Sequence, residues 1–226
     1  MTSKCQQNLF RTANINYVLI GALLSASIIS HLIANRLVGI VGFPVIPATF
    51  SYMLVFSLSD ILASLNSRRF VIFVLLGEAV TNLVWFSFIM GVTSAPEPEF
   101  FALGQSYQDV FGSVPQLYLA NLGGGLIISI IDILLFSHWY KTKKFTFFKA
   151  SFFSTIVSIS VYTYFTDYFG FRGNYPDHVM LLAHVNAITN VICVFCYSVI
   201  SAWAMKHILN YVHQQDTNSG VYHDQV

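Results

Sequence analysis

The sequence predicts an all-α membrane protein, a bundle of six transmembrane helices with both termini on the cytoplasmic side. Of the 226 residues, 55% are hydrophobic and only 9% are charged, whereas a soluble domain carries about 25% charged residues. The mean hydropathy is +0.64, and the 16% share of aromatic residues suits lipid contact and the belts at the two membrane surfaces. Basic residues, which mark cytoplasmic loops, crowd onto alternate connections between the apolar runs.

Six apolar runs predict the helices, and most approach the roughly 20 residues that a helix needs to cross a bilayer. The first run is too long for the apolar region of a signal peptide and lacks a persuasive cleavage site. Because no internal repeat or second domain is evident, we expect residues 1–226 to form a single integral membrane domain. The predicted helices lie at about 15–35, 49–65, 70–92, 114–138, 147–166 and 179–209.

The connections between the helices differ in character. Residues 36–48 contain two glycines and two prolines, which predict a short extended or re-entrant segment that folds back over the bundle. Residues 93–113 and 167–178 are polar and are predicted to be loops.

The basic residues set the orientation. With six spans, only Arg36 and Arg172 fall on one side of the membrane, and nine basic residues fall on the other. Both termini are therefore predicted to be cytoplasmic, and loops 93–113 and 167–178 to face outward. We expect the protein in the inner membrane of a bacterium. The nine are Lys4, Arg11, Arg68, Arg69, Lys141, Lys143, Lys144, Lys149 and Lys206.

Polar side chains of four helices reach the same outer level of the predicted bundle. Amide, imidazole and hydroxyl groups that converge in this way suit a neutral, polar ligand with several hydrogen-bonding edges. The alternative is hydrogen bonding between helices, worth about 0.6 kcal/mol a pair in membranes. We predict a pocket that opens outward under residues 36–48. Its candidate residues are Asn35, Tyr52, Gln116, Asn121, His184 and Asn190, with His31, Ser51 and Asn186 beside them.

Glu78 and Asn82 add a carboxylate and an amide to the candidate site. They lie four residues apart in the third predicted helix and so share one face. Glu78 could accept two hydrogen bonds from a guanidine-like edge of a ligand, or it could take up a proton that drives transport. A structural bond to another helix is the third interpretation.

Asp60 and Asp132 are the other carboxylates inside predicted helices, both in the cytoplasmic half. A carboxylate within a spanning segment costs roughly 2.5–3.5 kcal/mol on insertion scales. We expect a structural role, with Arg68, Arg69 and the lysines at 141–149 reaching them by snorkelling. A role in coupling is the alternative. The glycine run Gly123–Gly125 is predicted to serve close helix packing.

Several stretches of the chain resemble a family of vitamin-uptake-type membrane proteins, the queuosine precursor transporters. The resembling pieces are Asn35-Arg36, the run from Ile46 to Tyr52 followed by Ser59-Asp60, and Val110-Phe111-Gly112 followed by the helix that ends in Asp132. With six helices and cytoplasmic termini, the resemblance covers most of residues 30–205.

The resemblance implies a fold similar to the substrate-binding subunits of energy-coupling-factor vitamin importers. It also implies import of 7-deazaguanine precursors of the tRNA nucleoside queuosine, without an obligatory partner. A deazaguanine ring could stack on Phe50 or Tyr52, with its donor edge on Glu78 and its acceptor edge on the amides of Asn121 or Gln116.

By our alignment, the chain differs from the family pattern at a few positions. It has Gln116 where Arg is usual, Ser129 where Gln is usual, Ile159-Ser160 where Asp-Thr is usual, and Asn190 where Lys is usual. The joint loss of Asp and Lys could mean that neutral groups replace an intramembrane ion pair. It could also mean that the pocket binds a different molecule.

Three functions stay open. The first is import of a queuosine precursor, a small heterocycle, with no cofactor, no metal site and no nucleic acid partner. The second is transport of another heterocyclic vitamin, with Ala22 and Ala26 docking an energising subunit; a homo-oligomer is also open. The third is a membrane enzyme or assembly factor, although the chain has no G-x-S-x-G, H-E-x-x-H or phosphate-binding glycine loop, so we expect no enzymatic activity. Cys5, Cys193 and Cys196 predict neither a disulfide framework nor a zinc site.

Overall fold

The computed structural model describes residues 3–34, 36–98, 100–112, 114–173 and 175–218, with side chains given outside 3–10, 114–117, 119–121 and 213–218. Within these ranges the chain is almost entirely helical. A π-helical turn, His138–Thr142, continues the fifth helix. The elements are α1 Ser3–Ile33, β1 Val38–Ile40, β2 Phe43–Val45, α2 Ala48–Leu65, α3 Arg68–Thr93, α4 Gly104–Phe111, α5 Val114–Ser137, α6 Phe147–Phe171 and α7 Val179–Asn218.

Five helical segments in the described residues are long and apolar enough to span a membrane. The sixth long helix, α6, has 25 residues and falls outside this set. Its apolar residues alternate with serine, threonine and tyrosine, which lowers its hydropathy. The chain is therefore a helical membrane protein with five candidate spans. These are Arg11–Ile33, Ala48–Leu65, Arg68–Thr93, Leu122–Thr142 and Val179–Val212.

The helices form one bundle in which α6 packs along both α5 and α7, and α1 packs along α2. The largest apolar core lies between the C-terminal half of α2, the start of α3 and the end of α5, where Leu62, Val71, Ile133 and Phe136 are fully buried. Many large apolar side chains on the outside, such as Phe73 on α3, are exposed. Such a surface suits lipid.

Polar contacts join α1, the end of α2 and the π-helical turn after α5. The amides of Asn16 and Asn66 exchange hydrogen bonds of 2.9 Å in both directions, which joins α1 to the end of α2. Lys141 of the π-helical turn donates to the backbone oxygen of Asn66 at 2.5 Å. A cation at this position also complements the negative end of the α2 dipole. Ser67 caps the start of α3 by accepting from the Phe70 amide at 3.3 Å.

The connection between α1 and α2 is a two-stranded antiparallel hairpin in which Val38 pairs with Val45 and Ile40 with Phe43. This confirms the expected extended segment. Two residues make the turn, Val41 with φ of 52° and Gly42 with φ of 82°. Successive positive φ values are typical of the tight hairpin turns that favour Asn-Gly. Val41 is 92% exposed, so the turn lies at the surface.

Two predicted connections are corrected. Residues 93–113 were predicted to be a loop, but they contain the two-turn helix α4, which packs against α3 and α5. Loop 167–178 begins later than predicted, because α6 continues to Phe171. This extension places Asp167 inside the helix rather than in a loop. The N-terminal helix is also longer than predicted, since α1 begins at Ser3.

Candidate functional site

Two cavities lie side by side at the hairpin end of the bundle, and both are lined by His31 and Tyr52. The larger has a volume of about 510 Å³, open space at its mouth included, and the smaller about 320 Å³. Small-molecule sites usually fall between about 300 and 1,000 Å³. Together the cavities draw side chains from α1, α2, α3, α5, α6 and α7 and from Ile46 beside the hairpin.

The larger cavity has a polar wall built from three helices. Thr49 at the start of α2 donates to Asn186 Oδ1 on α7. The same amide donates through Nδ2 to Asp167 Oδ2 on α6, at 2.8 Å. Asp167 is only 5% exposed and lines the cavity. The Asn186 amide therefore fixes a carboxylate at the cavity surface, where it can accept hydrogen bonds from a ligand.

Asn190 lies one turn after Asn186 and lines the same cavity. Its Nδ2 donates to Thr163 Oγ1 at 2.7 Å. Among the described residues, nothing donates to its buried Oδ1. An unpaired buried carbonyl oxygen costs about 1–3 kcal/mol, a cost that a ligand N–H could remove.

Two tyrosine rings, called here the aromatic floor, border the cavities: Tyr52 lines both, and Tyr162 lines the larger one. Tyr52 stacks on Tyr162 of α6, with ring centroids 5.4 Å apart and planes inclined by 23°. Gly125 of α5 makes room for this pair, because a Cβ there would lie 2.6 Å from the Tyr52 hydroxyl. A Cβ on Gly124 would lie 3.3 Å from the Phe165 ring, whereas one on Gly123 would meet nothing within 4 Å. The predicted packing role of the glycine run thus holds for its last two members.

A hydrogen-bonded triad of Ser27, Glu78 and Asn82 borders the smaller cavity, which Glu78 and Asn82 line. Asn82 Nδ2 donates to Glu78 Oε1 at 2.6 Å and to Ser27 Oγ at 2.8 Å. Ser27 of α1 also donates to Glu78 Oε1. The expected shared face of Glu78 and Asn82 is confirmed, and Glu78 also makes the interhelical bond that was one of its three interpretations. Glu78 lines the smaller cavity, so its carboxylate can also accept a hydrogen bond from a ligand there.

His184 lies on the outer side of α7. Its side chain is exposed, with Nδ1 2.6 Å from the Met180 oxygen of its own helix and its ring against Tyr164. It lines neither cavity. Two residues along a helix correspond to about 200° of rotation, so His184 points away from the face that carries Asn186 and Asn190.

Three other candidates fall outside the described part of the structure. Asn35 lies outside the described residues, as do the side chains of Gln116 and Asn121. Of the remaining candidates, Tyr52 lines both cavities, Asn190 lines the larger one, and Glu78 and Asn82 line the smaller one.

The expected partners of Asp60 and Asp132 are also corrected. Both side chains are fully buried, and none of their four oxygens accepts a hydrogen bond from a described residue. Arg68 and Arg69 are exposed instead. Asp60 and Asp132 are buried inside the bundle, and the charge of Asp132 acts on Asp60. The described basic side chains at the helix ends do not reach either carboxylate.

Sequence reasoning missed Asp167 because the prediction ended its helix one residue earlier. The spacing held a usable signal, since Thr163 and Asp167 lie four residues apart and share a face with Thr166 and Tyr162. The departure at Ile159-Ser160 had suggested that this helix lacks an intramembrane carboxylate. Asp167 is a carboxylate on the same helix, about two turns later.

The family comparison covers most of this architecture. A family model with the description "Putative vitamin uptake transporter" matches residues 47–211. The chain belongs to this vitamin uptake transporter family. The matched range begins next to α2 and ends within α7, so it contains every described cavity residue except those of α1, Ala34 and Ile46. No curated protein and no solved structure gives a significant match. The suspected family relationship is confirmed at this level, and the chain is a multi-pass membrane protein of a transporter family.

Proposed function

We propose that this vitamin uptake transporter imports a queuosine precursor, a 7-deazaguanine such as preQ0 or preQ1. The observation that carries the proposal is the larger cavity. It combines a flat aromatic surface on Tyr52 with the Asp167 carboxylate and the unpaired Asn190 oxygen. A planar heterocycle with several N–H groups offers complementary chemistry.

Recognition follows from the groups that face the ligand. The ring stacks on Tyr52, which its neighbour Tyr162 holds in place. Asp167 and Glu78 accept hydrogen bonds from the amino and ring N–H groups, while Asn190 and Asn82 read the remaining edges. Asn35, Gln116 and Asn121 remain candidates for further contacts with the substrate. A site built on such bonds strongly rejects analogues that lack the matching groups, because its own polar atoms are then left unpaired.

The same proposal places the chain as one domain in a bacterial inner membrane, with six spans and cytoplasmic termini. The nine-to-two distribution of basic residues supports this orientation. The 25-residue length of α6 and its packing along α5 and α7 support a sixth span. In that orientation the hairpin and both cavities lie at the outer side, where a substrate arrives.

Uptake of a labelled 7-deazaguanine tests the proposal. Cells that cannot make the precursor are supplied with the intact protein, and accumulation of label in tRNA is measured. We expect accumulation with the wild-type protein and a severe loss with Asn190→Leu, which removes the unpaired oxygen. His184→Ala, on the outside of the same helix, serves as the control and is expected to import normally.

A panel of labelled bases and vitamins separates this substrate from its alternatives. If the purified protein binds another heterocyclic vitamin and no deazaguanine, the substrate is wrong and the transporter assignment stands. If activity requires a co-purifying ATPase, the chain is a substrate-binding subunit of a larger importer.

A further inference from the structure

The two buried aspartates lie away from both cavities, on the opposite half of the bundle. Asp60 is in the second half of α2, and Asp132 is near the end of α5. Both are fully buried, and their four oxygens have no hydrogen-bond donor among the described residues. No Lys, Arg or His in the described chain makes an ion pair with them. Two ionised carboxylates cannot share such a site without a compensating cation.

A hydroxyl surface on α6 faces this pair. Ser154, Thr155 and Ser158 face Asp132, and Ser151 faces Asp60. Ser158 is 1% exposed, and its hydroxyl has no described partner. The buried Ser158 hydroxyl lies beside the Asp132 carboxylate and can accept a hydrogen bond from a protonated carboxyl group, which is a second indication, independent of the acidic residues, that a proton can be held here.

The groups around the pair are otherwise neutral. Among the described residues, Asp132 of α5 is the one titratable side chain that exerts a resolved electrostatic effect on Asp60. Lys141 donates to the backbone of Asn66, and Arg68 and Arg69 are exposed. The described chain therefore supplies no positive charge to this site.

We propose that Asp60 and Asp132 form a proton-binding carboxyl pair that couples substrate import to proton entry. One proton shared between the two carboxyl groups removes their like-charge repulsion without requiring a cavity, and neither aspartate lines one of the two cavities. Proton uptake forms an O–H bond on one carboxylate, and release to the cytoplasm breaks it, so charge and atoms balance over a cycle. The binding of the proton stands on its own geometry, whereas its coupling role rests on the proposed import function.

Ser129 connects the pair to the substrate side. It lines the smaller cavity beside Glu78 and Tyr52 and interacts with the Tyr52 hydroxyl. Asp132 follows three residues later on the same helix, about 4.5 Å along the axis. A change at the cavity can thus reach the carboxyl pair within one helical turn.

Infrared spectroscopy of the purified, reconstituted protein tests proton binding without any substrate. At neutral pH we expect the carbonyl stretch of a protonated carboxyl group, shifted in D₂O. This band is expected to disappear in Asp60→Asn/Asp132→Asn and to persist in Asp177→Asn, a variant of an exposed loop residue. Identical bands in wild type and double variant would overturn the proposal. If the double variant does not fold, Ser158→Ala provides the second measurement and is expected to shift the band, and an unshifted band there would count against the pair.

Proteoliposomes test the coupling. With an acidic exterior, the wild-type protein is expected to concentrate labelled deazaguanine several-fold, and the double variant only to equilibrate it. Accumulation that is insensitive to the pH gradient but requires Na⁺ overturns proton coupling and leaves the substrate intact. A carboxyl band without any deazaguanine uptake supports the proton site and rejects the proposed substrate.

Discussion

The carboxylates in the two halves of the bundle differ in the hydrogen bonds that they accept. At the cavities, Asp167 accepts from Asn186, and Glu78 accepts from Ser27 and Asn82. In the other half, Asp60 and Asp132 accept no hydrogen bond from a described residue. In the proposed function, the carboxylates with amide partners are held in place to bind the substrate. The carboxylate pair without described hydrogen-bond donors needs another way to compensate its charge, and we propose that a proton provides it.

The largest effect is expected from Glu78→Gln. The hydrogen bonds from Ser27 and Asn82 can persist on the amide oxygen that replaces Oε1. The other carboxylate oxygen is replaced by an NH₂ donor, and the negative charge is lost. We expect import of labelled deazaguanine to fall about tenfold or more, while the amount of protein in the membrane holds. Glu97→Gln, at an exposed position, is the matched control. Unchanged import would show that Glu78 has only a packing role and does not bind the substrate.

Gly125→Ala tests the aromatic floor of the cavities. The new Cβ would lie 2.6 Å from the Tyr52 hydroxyl, so Tyr52 must move or the helices must separate. Overpacking of this kind costs about 1–3 kcal/mol, and we expect import to fall with it. Gly123→Ala has open space for its methyl group and is expected to leave both import and thermal unfolding close to wild type. Equal behaviour of the two variants would contradict the described packing.

Asn186→Ala probes the fixed carboxylate in the larger cavity. It removes the partner of Thr49 and leaves Asp167 buried without a donor, which costs about 1–3 kcal/mol in the free energy of unfolding. Thermal unfolding in detergent measures this loss. His184→Ala, two residues away on the exposed side, is expected to change the free energy by no more than about 0.5 kcal/mol. If the two variants are equally stable, the Asn186 network contributes nothing.

The smallest effect is expected from Asp60→Asn. Because no described donor is lost, the free energy of unfolding is expected to stay within about 0.5 kcal/mol of wild type. Asp167→Asn loses an amide bond to a carboxylate and is expected to be less stable by about 1 kcal/mol. The same unfolding measurement compares the two. A larger loss for Asp60→Asn would reveal a structural partner for it and break the contrast between the halves.

The sequence predicted the depth of each residue in the membrane better than the helix face on which its side chain lies. Apolar length located the six long helices, although α1 begins well before the predicted start and α7 ends well beyond the predicted end. Asp167 was missed because a polar residue was taken as a helix end. Depth alone placed His184 beside Asn190, although helical phase turns them to different faces. Depth also paired Asp60 with Arg68, because both lie towards one end of α2 and α3. Rotation is set by packing between distant segments, which a single sequence does not reveal.

The hairpin turn at Val41 has a consequence for protein engineering. A branched residue with φ of 52° holds a backbone conformation that asparagine adopts more easily. Val41 is almost fully exposed, so Val41→Asn would relieve backbone strain without entering either cavity. Val41→Asn is therefore expected to stabilise the purified protein without changing the side chains that line the cavities.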